Sequence, residues 1–259
     1  MSVRLVLFDL VGTLLDEESD YEALDGIMAE TVDRFRLTND PEELSGEFTL
    51  AFMEVLRGEP EEDDEPATFI PFQEAAKEVW SGLLVHHGIV PTEKDIAWFW
   101  DTYLDIQRRT WRAYPEVVDT LKELQSDNVL IGIVTDADRY MLEDVIPAVG
   151  IEPYIDLAVS AEEAGHAKPH PALFRLALER TGIPASEVVM VGDSYERDVE
   201  GARGAGILRT VLVDRHGART VAGPVVRDLR PVPRVVHQAG NGHETHSGRT
   251  QVTERTRAG

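Results

Sequence analysis

The chain has 259 residues, 42% of them hydrophobic, which suits one large α/β domain or a core carrying an inserted second domain. A net charge of −23 argues against nucleic acid and anionic membranes as partners, the absence of cysteine rules out disulfides and thiolate metal sites, and no apolar run is long enough for a membrane span. Only four of the twenty-five basic residues are lysines (Lys77, Lys94, Lys122 and Lys168). Many acids with few lysines is the balance expected of a protein adapted to high salt, where ions screen self-repulsion and carboxylates keep the surface hydrated. Residues 216–259 oppose the trend, with seven arginines against three acids.

The N-terminal VRLVLF (3–8) is a continuous apolar run ending at Asp9. That pattern predicts a strand buried on both faces rather than a signal peptide, and hence a cytoplasmic protein. From Ser19 to about Tyr114 the periodicity is helical. Ser19 and Glu22 have capping-box spacing, Asp40-Pro41 predicts an N-cap with proline at the first helical position, and Thr92 with Asp95 predicts a further cap. Four helices with no strand between them predict a small bundle over 16–114, interrupted by the charged loop RGEPEEDDEP (57–66). Trp98, Trp100 and Trp111 are expected to pack inside this bundle, and Arg108 and Arg109 to be exposed.

Beyond Tyr114 strands and helices alternate. Strands are predicted at 129–135, 157–160, 187–193 and 208–214, with an edge strand at 225–229; helices at about 115–126, 139–149, 171–182 and 195–204. Such alternation predicts a Rossmann-like, doubly wound parallel sheet. Residues 1–15 and 115–236 would form the core, 16–114 an inserted helical domain, and the polar segment from His237, which includes His243 and His246, a disordered tail.

In an open α/β sheet, ligands bind beyond the carboxyl ends of the strands. Asp9, Thr135-Asp136 and Gly192-Asp193 fall at three such ends, and Lys168 follows a fourth strand. These groups are expected to converge on one crevice. Lys168 stands out further as one of only four lysines, whereas His166 and His170 beside it have no assigned part.

DLVGTLLD (9–16), VTDAD (134–138), AKPHPALF (167–174) and VGDSYERDVEGARGAGI (191–207) resemble, in order and spacing, the four motifs of the haloacid dehalogenase-like superfamily. The helical insert resembles that family's C1-type cap. The resemblance implies a Mg²⁺-dependent hydrolase, foremost a phosphatase of small phosphorylated metabolites. Asp9 would be the nucleophile, forming an aspartyl-phosphate, with Thr135 and Lys168 completing the catalytic set. Gly12, Thr13, Thr135, Asp136 and Lys168 would bind the phosphate. Asp9, Asp193 and the Val11 carbonyl would hold the metal, with Asp198 as a ligand or a partner of one.

One position departs from the pattern. Phosphatases of this family carry a second Asp two residues after the nucleophile to protonate the leaving alkoxide; here it is Val11. Such acid–base help is typically worth about 10² to 10⁴ in rate. Three readings stay open: a phosphatase favouring good leaving groups or drawing on Asp16 or a cap carboxylate, another hydrolase of the family such as a 2-haloacid dehalogenase, and a non-catalytic binding protein. Gly192-Asp193 favours a metal and disfavours dehalogenation.

Overall fold

A computed structural model of the chain describes residues 2–57, 69–217 and 223–241. Residues 58–66 of the charged loop, and His243 and His246, lie outside them.

The first strand, β1 (Leu5–Phe8), is followed by four helices: α1 (Glu18–Phe35), α2 (Pro41–Arg57), α3 (Phe72–His86) and α4 (Glu93–Thr110). Next come α5 (Val117–Ser126) and β2 (Leu130–Thr135), then a π-helical turn (Met141–Val145) running into α6 (Ile146–Ala148). After β3 (Leu157–Ser160) come α7 (Ala161–Ala164), α8 (Ala172–Thr181) and β4 (Val188–Gly192). A π-helical turn (Tyr195–Glu200) then leads into α9 (Gly201–Gly204), followed by β5 (Arg209–Val213), β6 (Val225–Val226) and α10 (Val232–Asn241).

The strands form one parallel sheet in the order β3-β2-β1-β4-β5-β6. β1 lies at its middle and is fully buried, as the unbroken apolar run of its sequence requires. Val6 and Phe8 point into a core shared with α5, while Leu5 and Leu7 point into one shared with α8. This is the α/β architecture expected from the alternation of elements. The expected edge strand is β6, two residues long, paired with β5.

Helices α1–α4 enclose a separate apolar core built on Ile27, Trp80, Phe99 and Tyr103. Two of the expected caps form: Asp40 Oδ1 accepts the Glu42 N–H at 2.9 Å, and Thr92 with Asp95 makes a reciprocal capping box. The third does not. Helix α1 starts at Glu18, so Ser19 is inside it and fully buried. Its hydroxyl instead accepts the Arg112 N–H at 3.2 Å, from the segment that follows α4. A long-range backbone donor has displaced the local one.

Two more expectations change. Trp98 and Trp100 pack in the helical block, but Trp111 belongs to the core beside the sheet. The segment 237–241 is not a loose tail: α10 continues through it, and His237 Nε2 lies 2.7 Å from Asp127 Oδ2. Val232 and Val236, one helical turn apart, anchor α10 on the sheet-side core. No helix among the described residues is long and apolar enough to cross a membrane.

Candidate active site

Strand β1 delivers Asp9 to the carboxyl edge of the sheet, where its N–H still bonds to the Val191 carbonyl at 2.9 Å. The chain then turns sharply. Gly12 takes a φ of +82°, and a Cβ there would lie 2.8 Å from Asp193 Oδ2, so both conformation and space demand glycine. The turn brings the buried Thr13 hydroxyl back to donate to Asp9 Oδ2 at 3.2 Å.

The other oxygen of Asp9 meets Lys168. The Lys168 Nζ lies 2.5 Å from Asp9 Oδ1 and 2.7 Å from Asp198 Oδ1, with all three side chains buried. Burial works against the ammonium charge, but the carboxylates of Asp9, Asp198 and Asp136 outweigh it and hold Lys168 above the ordinary lysine value. Asp198 comes from the π-helical turn after β4 and accepts the Ser194 N–H at 2.9 Å. Its carboxyl group packs against Gly192, where no side chain would fit.

Asp193 completes the group. Asp9, Asp193 and Asp198 each offer a carboxylate oxygen, and these atoms all lie within 4.8 Å of one another. Burial first, then the charges of Asp9 and Asp198, push Asp193 up to about 7; burial also pushes Asp198 up to about 6, against the pull of Lys168. Three carboxylates facing one lysine leave an excess of negative charge. All the donors are oxygens, which suits a hard divalent cation.

The remaining sequence-derived residues are arranged around this cluster. The buried Thr135 hydroxyl accepts the Ala137 N–H at 3.2 Å. Asp136 accepts the Lys168 N–H at 2.7 Å and pairs with Arg197 at 3.4 Å, so its carboxylate positions cations. Val11 lines the adjoining cavity with its side chain. Asp16 is turned away into a local bond from the Glu18 N–H. Arg108 and Arg109 pair with Asp144 and Asp105. His166 and His170 stack on each other at 3.9 Å.

Sequence reasoning missed three residues. Arg197 lies between Asp193 and Asp198 and faces the cavity; the motif spacing that found its neighbours could have found it. Arg215 donates to the Gly12 and Thr13 carbonyls at 3.1 and 2.8 Å, pairs with Glu116 at 2.8 Å and covers the ring of Tyr114. It braces the turn after Asp9, and its position just past the end of β5 was the available signal. Asp20, on α1, lines the same cavity as Val11 and Lys168. Burial alone pushes it up to about 6.

Asp9 at a strand end, Lys168 beside it and an acidic pair after β4 come together in one place. The haloacid dehalogenase-like hydrolase family matches residues 3–206. The chain belongs to that family. Among haloacid dehalogenase-like relatives, the ribulose-1,5-bisphosphate 5-phosphatase of Halopiger xanaduensis is 38% identical over 45% of this chain and 46% of its own length. The glyceraldehyde 3-phosphate phosphatase of Methanocaldococcus jannaschii is 33% identical over 41% and 47%. These matches span about half the length of the relatives. Pyrophosphatase PpaX of Oceanobacillus iheyensis is matched more fully, at 28% identity over 78% of this chain and 80% of that protein. Solved structures share the fold: a HAD phosphatase from Thermococcus onnurineus has a TM-score of 0.65 at 22% identity, covering 90% of this chain and 98% of that one. The L-2-haloacid dehalogenase of Xanthobacter autotrophicus has a TM-score of 0.66 at 20% identity, with the same coverage.

Proposed function

We propose that this protein is a Mg²⁺-dependent phosphatase of small phosphorylated metabolites, with residues 16–114 acting as a cap on a core of 1–15 and 115–236. The observation that carries the reading is the Lys168 ammonium bonded to both Asp9 and Asp198 inside a three-carboxylate group. The relatives named as phosphatases support it.

The donor set fits the cation. Asp9, Asp193 and the Val11 carbonyl would hold it, and Asp198 would ligate it or fix a ligand. When bound, Mg²⁺ supplies the positive charge that lets an anionic carboxylate approach an anionic phosphate.

The chain's own residues do the rest. Lys168 keeps Asp9 oriented and adds charge beside the phosphoryl oxygens. Thr13 and Lys168, on opposite oxygens of Asp9, fix its rotation so that one lone pair faces phosphorus in line with the leaving oxygen. Thr135 and the backbone of the turn at Gly12 and Thr13 face the phosphoryl oxygens, and Arg197 faces the ester from the cavity wall. Asp136 holds Lys168 and Arg197 in place, and Arg215 holds the turn. The phosphoryl group passes to Asp9, and water then releases it.

A screen of phosphate esters in high salt, with Mg²⁺ or with chelator, tests the reading. Metal-dependent phosphate release that disappears in Asp9→Asn is the expected result. Halide release from a 2-haloacid without metal would replace the reading with dehalogenation, and Mg²⁺ binding with no turnover of any ester would replace it with a binding role.

A further inference from the structure

The cavity beside Lys168 has a volume of about 340 Å³, within the usual range of small-molecule sites, about 300–1,000 Å³. One end carries charge, from Lys168, Arg197 and Asp136. The other is a wall of rings: Phe52, Phe69, Phe72, Tyr103, Trp111 and Tyr140. Four of the rings are in contact, with Phe72 4.9 Å from Phe52, 5.7 Å from Tyr103 and 6.2 Å from Tyr140 between centroids. Asp20, Gln107 and Asp138 are polar residues of the same lining, but most of its apolar part is aromatic, and a flat apolar group placed here would bury its faces against the rings.

The wall also holds two unsatisfied polar atoms. Trp111 Nε1 and Gln107 Oε1 are buried and have no hydrogen-bond partner among the described residues. Both side chains line the cavity. Neither atom is open to the cavity, so neither competes with the rings for a ligand.

The reaction points the same way. The side chain nearest in sequence to the nucleophile on this wall is Val11, which cannot protonate a leaving oxygen. Asp20 lines the cavity too, and burial raises its carboxyl to about 6. Its neighbours are Tyr103 and Tyr140, whose hydroxyls feel its charge. A weakly basic leaving group needs no proton donor at the Val11 position.

We infer that the substrate is an aryl phosphate, a phosphate monoester whose aromatic alcohol occupies the ring-lined cavity and leaves as a weakly basic phenolate. The inference rests on the phosphatase reading and narrows its substrate class. In the first step an Asp9 oxygen bonds to phosphorus as the bond from phosphorus to the aryl oxygen breaks. The bonding pair leaves on that oxygen, which takes a proton from solvent. In the second, water adds to phosphorus and the pair of the broken bond returns to the Asp9 carboxylate. One water proton stays on the phosphate and the other goes to solvent.

Phenylphosphonate and methylphosphonate share the charged group, differ in the ring and have no ester bond to break. Titration calorimetry of the full chain with Mg²⁺ should show phenylphosphonate binding tighter by about tenfold or more, the factor that burial of a ring readily supplies. Tyr140→Ala should shrink that preference. Trp111→Phe, which keeps a ring in the same place, guards against a folding defect and should retain the preference. In turnover, phenyl phosphate should exceed glycerol phosphate in kcat/KM by about 10² or more, because only the alkoxide needs the missing acid. Equal binding of the two phosphonates overturns the inference. Glycerol phosphate turned over as well as phenyl phosphate also overturns it, and leaves the phosphatase reading intact. A preference for phenylphosphonate with no ester hydrolysed keeps the aromatic site and removes the phosphatase reading.

Discussion

The carboxylate of Asp138, three residues past the end of β2, accepts the backbone N–H of Phe72 at 2.8 Å. Its second oxygen accepts the Gln73 N–H at 2.9 Å. Asp138 thus caps helix α3 from across the cavity, joining the loop after the sheet to the helical block. The cap in place before α3, Pro71, has no side-chain oxygen to offer. Asp138→Ala should cost about 1–2 kcal/mol, the range of a lost N-cap, and loosen the start of α3. Denaturant titration gives the first quantity and amide exchange at Phe72 and Gln73 the second. Unchanged exchange there would refute the tether.

Lys168 is the counter-ion of two buried carboxylates. Lys168→Met leaves Asp9 and Asp198 uncompensated, and breaking such a pair from one side typically costs about 3–5 kcal/mol. Mg²⁺ should recover part of the loss by supplying charge in the same place. Thermal melts with and without the ion measure both. A variant as stable as the parent in chelator would mean that the lysine does not neutralise the cluster.

Asp193 is the reverse case. Its carboxyl sits beside Asp9 and Asp198, and burial and those like charges push it up to about 7. Asp193→Asn removes a charge that the metal-free fold holds at a cost, so it should raise the melting temperature in chelator. It should also abolish the further rise expected of the parent on adding Mg²⁺. An unchanged Mg²⁺-induced rise in the variant would take Asp193 out of the cation site.

Asp20 carries a pH signature of its own. Its folded value is about 6 against 3.8 for an exposed carboxyl, with burial as the cause. The folded protein therefore holds this proton more tightly than the unfolded chain. The stabilisation from it is present below about pH 4 and is lost as pH rises through 6. Asp20→Asn should stabilise the protein at pH 7.5 by on the order of 2 kcal/mol, with the gain shrinking toward pH 4. A gain independent of pH would show that Asp20 is not the buried acid described.

The charge of −23 acts on the whole molecule. Lowering salt from molar to millimolar lengthens the screening distance from about 3 Å to tens of ångströms and exposes the fold to its own repulsion. The midpoint of denaturation should fall steeply with dilution in NaCl. A flat salt profile would remove the idea of adaptation to high salt.

Much of this architecture was legible before any coordinates. The apolar run 3–8, the alternation after Tyr114 and the caps at Asp40 and Thr92 are local signals, because strand burial, helical period and capping depend on residues a few positions apart. The same locality put Asp9, Asp136 and Asp193 at strand ends, and a parallel sheet places all such ends along one edge. Locality also explains the failure at Ser19, whose spacing to Glu22 was right but whose hydroxyl was taken by a backbone N–H 93 positions away.

The order of elements, the parallel sheet and the acids at its strand ends are written in the chain, since periodicity and strand-end position need only short-range sterics and hydrogen bonding. Tertiary structure alone decided the rest. Lys168 reaches Asp9 across 159 positions, Arg215 reaches Gly12 across 203, and Asp138 reaches Phe72 across 66. The ring-lined cavity beside Val11 exists only because the helical block packs over the sheet edge. Contacts of that span depend on how whole elements dock, and the long-range packing that docks them leaves no period or spacing in the chain to read.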